Sequence, residues 1–309
     1  MALAITTSYA GEFSGKYIAA ALLTGDTLAN NEITILPNVR YKSVLQKAST
    51  DNIVKNASCG FDPAGGTLTL TEQVLTTEEF QVNLELCKQE LHRSWQALEM
   101  GYSTFAEIPA SFSDFVLAHV AAKVADKTEK NIWQGVDGNV GEFDGLATLL
   151  ANDAALPAGQ EIAAVAGGVN AGNVITELGK VVDAIPTAVF GKDDLRIYIS
   201  SNIARAYTRA LGGFAGTGNA GYESRGTNQV LGNLFFDGVQ IVVSKGMADN
   251  TMIAAEKSNL FFGTGLLSDQ NEVRVIDMAE TDGSQNIRVV MRFTAGVQYA
   301  QVTDIVLYA

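Results

Sequence analysis

The chain has 309 residues, of which 47% are hydrophobic and 18% charged, and carries a formal net charge of −13 at pH 7. That length allows one large or two modest domains, and the apolar fraction excludes intrinsic disorder. The acidic balance repels phosphate, which argues against a protein that reads DNA but leaves room for one that encloses nucleic acid without gripping it.

Residues 1–37 show weak periodicity and are interrupted by Gly11, Gly15 and Gly25. Tyr17–Leu23 suits one or two helical turns, and the rest reads as extended. Such a segment buries little by itself, so the expectation is an arm that lies on a neighbour rather than a loose tail. Residues 38–75 read as a long hairpin. Val39–Gln46 runs out, Thr67–Leu75 returns, and Pro63-Ala64-Gly65-Gly66 marks a turn-rich tip. Leu68 and Leu70 share one face of the returning strand, with Thr67, Thr69 and Thr71 on the other. Lys42, Lys47 and Lys55 make this hairpin positive within an acidic chain. A two-stranded ribbon is barely stable alone in water and needs a partner surface, and another subunit is the expected one.

Glu79–Cys87 alternates cleanly, with Phe80, Val82, Leu84 and Leu86 on one side, which predicts a half-buried strand. A helix follows, carrying Leu91, Trp95 and Leu98 at helical spacing and ending at Gly101. A loop through Pro109 leads to residues 111–134, which contain no Gly or Pro and predict one long helix. Ser111 or Ser113 can cap its start and Asp114 suits the positive end of its dipole. Phe112, Val116, Val120, Val124 and Ile132 recur at a spacing of four. Each such step overshoots a turn by about 40°, so the apolar stripe winds and different neighbours must pack on different sides. A glycine-rich turn, Gly135–Leu146, follows at once.

Residues 147–170 are small and polar and cross to a second subdomain. Asn173 is expected to cap a helix whose apolar positions are Val174, Ile175, Leu178, Val181, Val182 and Ile185, with Pro186 as its stop. Leu195–Ser200 alternates as a strand, and Ser201 is expected to cap the short helix after it. A glycine-rich loop covers Phe214–Gly232. Short strands are predicted at Val239–Val243, Thr251–Ala255 and Ser258–Gly263. The C-terminal part reads as a long hairpin, Glu272–Met278 and Asn286–Val302, turning at Asp282-Gly283, with a last strand over Asp304–Ala309.

No apolar run approaches the ~18 residues of a membrane span. The first residues lack the basic and apolar regions of a signal peptide. Cys59 and Cys87 have no metal or redox spacing and predict reduced thiols in a cytoplasmic setting. His92 and His119 lie on successive predicted helices, without other ligands at metal spacing. No G-x-S-x-G elbow is present. Gly216-Thr217-Gly218-Asn219-Ala220-Gly221 matches G-x-G-x-x-G, but a helix precedes it where the dinucleotide fingerprint needs a strand. Asn56-Ala57-Ser58 fits a glycosylation acceptor without any sign of secretion. Glu78-Glu79 and Asp193-Asp194 are adjacent acids expected to be solvated. The inventory offers no catalytic, cofactor-binding or metal-binding residue set, and no enzyme is expected.

The order of elements resembles the major capsid protein of tailed bacteriophages, the Hong Kong ninety-seven-like fold shared with encapsulins. The family's long helix ends in an aromatic or leucine-rich turn, then N/Q-G-x-G, then an F/L-x-G-L-like segment. The matching residues are Trp133-Gln134-Gly135, Gly138 and Phe143-Asp144-Gly145-Leu146. The run from Gly232-Asn233-Leu234 through Val239–Ser244 to Thr251–Leu266 resembles the family's region before its terminal hairpin. The resemblance spans nearly the whole chain and rests on element order with loosely constrained motifs.

It implies an α+β capsid fold with an N-terminal arm (1–37), an extended β-hairpin loop (38–75), a peripheral domain with a spine helix (76–150 and 268–303) and an axial domain (151–267 and 304–309). It also implies a structural shell of pentamers and hexamers that encloses double-stranded DNA without sequence-specific binding, located in the virion and assembled in the host cytoplasm. Scaffolding, portal and decoration proteins are the further partners it allows, any scaffold being a separate protein. An encapsulin shell around a cargo enzyme is the alternative. Some family members cross-link an extended-loop lysine to an asparagine with help from a glutamate. Lys42, Lys47, Lys55 and Asn286 are the candidates, but the limb after Asn286 has no glutamate, so the cross-link is not carried over.

Overall fold

The computed structural model describes residues 25–50, 54, 56, 59, 68–87, 110–211, 234–265, 274–279, 281 and 283–309. In chain order, a single helical turn, α1 (Asp26–Ala29), leads to the short strand β1 (Thr34–Leu36). The ribbon strands follow as β2 (Lys42–Thr50) and β3 (Leu68–Thr76), then β4 (Glu78–Cys87). The long helix α2 (Ala110–Gln134) and the short helix α3 (Leu146–Asn152) flank the glycine-rich turn. Next come β5 (Glu161–Ile162), helix α4 (Val174–Asp183), β6 (Leu195–Ile199) and helix α5 (Ser201–Ala210). The remaining strands are β7 (Leu234–Phe236), β8 (Val239–Val243), β9 (Met252–Glu256), β10 (Leu260–Thr264), β11 (Arg274–Asp277), β12 (Asn286–Tyr299) and β13 (Val306–Tyr308).

These strands form two sheets and the separate ribbon. In the first sheet β12 is the spine. Its N-terminal part lies between β11 and β4, its C-terminal part pairs with β10, and β1 adds parallel to β10. β4 pairs with β12 over ten residues, from Asn286 opposite Cys87 to Ala295 opposite Glu78. The second sheet has the order β5-β13-β9-β6-β8-β7, with β6 and β8 parallel.

Strand alternation divides the second sheet between two cores. Ile197, Ile199, Met252, Ala254, Val306 and Tyr308 face the helices α4 and α5, where Leu178, Val181, Ile203 and Tyr207 are buried. Tyr198, Ile253, Ala255 and Leu307 face the other way, into a core shared with Trp133, Leu146, Leu150, Phe262 and Tyr299. Both faces are covered, so these strands read as almost continuous apolar runs. Each fully buried large apolar side chain contributes about 1.5–3 kcal/mol relative to exposure.

Helix α2 is 25 residues long, roughly 37 Å at 1.5 Å per residue. Val116 and Val124 are half-buried and Val120 is buried, while His119, Ala121 and Lys123 are exposed. Toward its end the helix is enclosed on several sides: Thr128, Glu129, Asn131, Ile132 and Trp133 are all buried. Different partners take different sides. Thr27 meets Glu129, the carbonyl of Gly141 meets Asn131, Tyr198 meets Trp133, and the carbonyl of Gly246 meets Gln134.

Several local expectations are corrected. Helix α2 begins at Ala110, so Ser111 and Ser113 lie inside it rather than before it. Asn173 precedes α4 but does not cap it with its side chain; its Oδ1 accepts from the Asn170 N–H and its Nδ2 donates to the Gly168 carbonyl. Ser200, not Ser201, occupies the cap position of α5, and its hydroxyl donates to Asn202 Oδ1 instead of accepting from the helix. Asx and Ser side chains at such positions compete among several local backbone and side-chain partners, and sequence alone does not rank them. Residues 25–36 are not a segment that buries little: Ile33 is buried in the shared core and β1 pairs with β10. The predicted helix through Leu91, Trp95 and Leu98, the turn of Tyr17–Leu23 and the loop of Gly216–Gly221 lie outside the described residues.

Candidate assembly surface

The ribbon is positioned from its base. Val39 N–H donates to the Thr264 carbonyl, Thr77 N–H to the Tyr41 carbonyl, and Gln298 Nε2 to the Val74 carbonyl. Leu75 is fully buried over Gly263 of β10. The register from Lys42 opposite Thr76 to Thr50 opposite Leu68 then sorts the side chains by face. Ser43, Leu45, Lys47, Gln73 and Leu75 share the face that turns to the body. Val44, Ala48, Leu68, Leu70 and Val74 share the other face, together with Lys42, Gln46 and Glu72.

That second face is open. Leu70 is 73% exposed, Leu68 63% and Val44 48%. Tyr41, at the foot of the ribbon, is also exposed. Hydrophobic residues scattered singly over a surface need no explanation, but here the pair Val44–Val74 and the group Ala48, Leu70 and Leu68, on either side of the polar pair Gln46–Glu72, repeat along one open face and mark an interaction surface.

The turn after α2 is built as rigidly as the ribbon's base. A Cβ at Gly135 would collide with the Phe143 carbonyl, and one at Gly145 with the backbone of Asn131, Gln134 and Gly135. Gly138 and Gly141 have φ of 99° and 74°, the left-handed region that favours glycine. Gly145 N–H donates to the Gly135 carbonyl, as does the Thr148 hydroxyl. Glu142 pairs with Lys127 and accepts from the Val136 N–H and Asn139 Nδ2. Those contacts, the Lys127 bond foremost, hold its carboxyl down at about 2. Phe143 and Leu146 plug into the shared core, while Val140 at the tip is 98% exposed.

The chemistry-bearing residues remain dispersed. His119 is exposed on α2, and His92 lies outside the described residues. Among the described residues no group of three His, Cys, Asp or Glu side chains is arranged to hold a metal ion. Cys59 is exposed, Cys87 is half-buried, and both are free thiols. Asn56 is exposed. Asp194 is not simply solvated: it accepts from the Ser258 hydroxyl at 2.6 Å, which lowers its pKa. Glu78 is half-buried, and burial with the nearby charges of Asp137 and Asp144 raises its pKa. Glu79 beside it is exposed.

The cross-link candidates are arranged as follows. Lys42 and Lys47 lie on opposite faces of the ribbon, and Lys55 is outside the described residues. Asn286 Nδ2 donates to Glu85 Oε1 at 3.0 Å, and Arg288 Nε lies 3.5 Å from the same oxygen. A glutamate does adjoin Asn286, supplied by the paired strand β4 and not by the limb that follows it. The residues that sequence reasoning missed are Thr27 and Glu129, joined across 102 positions by a 2.5 Å hydroxyl–carboxylate bond. No local pattern marks either one.

By sequence, the chain matches no family model and no curated protein. By fold it resembles several solved capsids. It matches the capsid of a native GTA particle with a TM-score of 0.62 and 12% identity, covering 95% of this chain and 93% of that one. The capsid of Myoviridae phage XM1 gives 0.61 at 12% identity, over 96% and 94%. The capsid of cyanophage P-SCSP1u gives 0.57 at 13% identity, over 96% and 91%. An apolar ribbon face without a partner among the described residues, a closely packed turn after a long helix and near-complete coverage against these shells belong together: the chain has the fold of phage capsid proteins.

Proposed function

We propose that this chain is a structural major capsid protein that assembles with copies of itself into the shell of a phage head. The observation that carries this reading is the ribbon. Its base is locked to β10 and β12, while Val44, Leu68, Leu70 and Val74 form an apolar face that the chain's own body does not cover. A second subunit supplies the missing surface. Many such contacts repeated in a closed shell give avidity without one strong interface.

In this reading residues 1–37 and 38–75 are the arm and extended loop. The first sheet with α2, residues 76–150 and 268–303, is the peripheral domain. Residues 151–267 and 304–309 are the axial domain, and subunits meet as pentamers and hexamers. The net charge of −13 keeps the inner wall from sticking to enclosed double-stranded DNA. Scaffolding, portal and decoration proteins are the partners such a shell uses, and assembly takes place in the host cytoplasm. No helix among the described residues is long and apolar enough to cross a membrane. The resemblance to phage and GTA capsids supports a structural, non-catalytic role and favours a phage head over an encapsulin.

Electron microscopy of the purified full-length chain tests this. Closed icosahedral particles are expected, and deletion of Tyr41–Val74 abolishes them. Particles of normal shape from the deletion variant sink the ribbon's role. A chain that stays monomeric at high concentration, with and without nucleic acid, sinks the shell reading itself.

A further inference from the structure

Residues 25–36 join three parts of the molecule within twelve positions. Thr27 donates to Glu129 of α2 through both its hydroxyl (2.5 Å) and its N–H (3.2 Å). The Trp133 indole N–H donates to the Thr27 oxygen at 3.0 Å. Five residues later, the Glu32 carbonyl accepts from the Tyr198 hydroxyl of β6 at 2.5 Å. Ile33 then enters the shared core, and β1 closes onto β10. The Trp133 and Tyr198 rings pack against each other, tilted by 42° with centroids 5.0 Å apart. One short segment thus holds the long helix against the second sheet and ties both to the first.

The fastening point is a carboxylate. Glu129 is 1% exposed and has no cation partner among the described residues. The charged groups around it are otherwise engaged. Asp26 on α1 pairs with Lys245 from the turn after β8, and Asp126 on α2 pairs with Lys123 and Lys130. Asp26 adds negative charge close by. A groove of about 400 Å³, lined by Leu28, Ala29, Val124, Ala125 and Glu129 among others, runs between α1 and α2 beside the site.

We propose that residues 25–36 form a clamp whose grip on α2 is set by the charge of Glu129: the neutral acid closes the clamp and the carboxylate loosens it. A buried charge with no cation partner is costly; protonation at Oε2 removes that cost, keeps Oε1 for the Thr27 hydroxyl and gives up only the longer bond from the Thr27 N–H. Burial, partly opposed by the Thr27 bonds, raises the Glu129 pKa above its ordinary 4.5. With the clamp open, Glu129 meets water and regains that ordinary value. The sign follows by linkage. Closure is strongest below 4.5, weakens as pH rises to the raised pKa, and is constant beyond it. The clamp is independent of the shell reading, since it acts within one subunit.

Hydrogen–deuterium exchange of the full-length chain between pH 4 and 8, corrected for the intrinsic rate of each amide, tests the proposal. Protection of amides 27–36 is expected to fall about tenfold per pH unit between the two Glu129 pKa values. Glu129→Gln is neutral throughout and removes that fall. Thr27→Val loses a hydroxyl that favours the ionised form and moves the end of the fall to higher pH. Thr27→Ser restores the wild-type profile. The proposal is overturned if wild type and Glu129→Gln lose protection in parallel, or if protection in the wild type rises with pH. If Glu129→Gln does not fold, the direction of the Thr27→Val shift decides alone, and no shift overturns the proposal.

Discussion

Leu75 packs directly over Gly263, so closely that a Cβ on the glycine would overlap the leucine's side chain. This pair seats the ribbon on β10, and the glycine is required by close approach rather than by its backbone angles. Gly263→Ala should therefore overpack the joint and cost about 1–3 kcal/mol. Leu75→Ala leaves a cavity and costs about 2–5 kcal/mol. Combining the two should cost less than their sum, because alanine at 75 makes room for the methyl at 263. Urea titrations of the four chains in the cycle check the coupling.

The outer face of the ribbon should behave in the opposite way. Leu68→Thr with Leu70→Thr removes apolar groups that are mostly exposed in the single subunit, so the melting behaviour of the isolated chain should stay within about 0.5 kcal/mol of wild type. Assembly, followed by sedimentation, should be lost or need a much higher protein concentration. A loss of stability equal to the loss of assembly would mean that this face has an internal partner.

Gly145 sits where the turn recrosses the end of α2. Gly145→Ala drives a methyl into the backbone of Asn131, Gln134 and Gly135, and nothing there can rotate away. The expected cost exceeds about 1–3 kcal/mol, as overpacking against backbone has no side-chain relief. Gly159→Ala, where a Cβ meets open space, is the control and should lie within about 0.5 kcal/mol of wild type. Thermal melts of the two variants should separate clearly.

Acid stability should report on the bond between Asp153 and Tyr299. The Tyr299 hydroxyl donates to Asp153 Oδ2 at 2.6 Å, and the Ala155 N–H donates to the other oxygen. The Tyr299 bond, then that of Ala155, lowers the Asp153 pKa below its ordinary 3.8. A lowered acid pKa contributes stability that is full above 3.8 and is lost as pH falls through the lowered value. Burial and the same bond raise the Tyr299 pKa, so its share is full below the ordinary 10 and fades above it. Asp153→Asn should flatten the stability profile below pH 4, and its loss relative to wild type should be largest and constant at pH 5–8 and shrink as pH falls through the lowered pKa. Tyr299→Phe, measured at pH 7, should cost about 1.5–3 kcal/mol, the range for a hydrogen bond to a charged group.

Much of the architecture was legible because it is written in local period. The unbroken run before Gly135 marks α2, the alternation from Phe80 to Leu86 marks β4, and the apolar positions Val174, Leu178, Val181 and Val182 mark α4. Leu68 and Leu70 on a common face already pointed to a ribbon in need of a partner. The cap expected of Asn173 does not form, and the cap position of α5 falls at Ser200 rather than Ser201, since such side chains choose among partners that only the folded turn presents. Glu78 was read as solvated because its neighbours, Asp137 and Asp144, arrive from a turn some sixty residues away.

What the sequence by itself determined is therefore most of the longer elements, their order and the faces they show, since period, Gly and Pro act within a few residues; α1, α3, β5 and β7 are too short to show a period and were not read. Only the tertiary structure decided which faces find partners inside the subunit. It brought Thr27 to Glu129 and Trp133 and buried Ile33 in the shared core. It seated Leu75 on Gly263 and left Leu68 and Leu70 uncovered. Those outcomes depend on contacts between residues about a hundred or more positions apart. Such contacts form only when loop-closure entropy is repaid by burial in the assembled core, and no local pattern carries that balance.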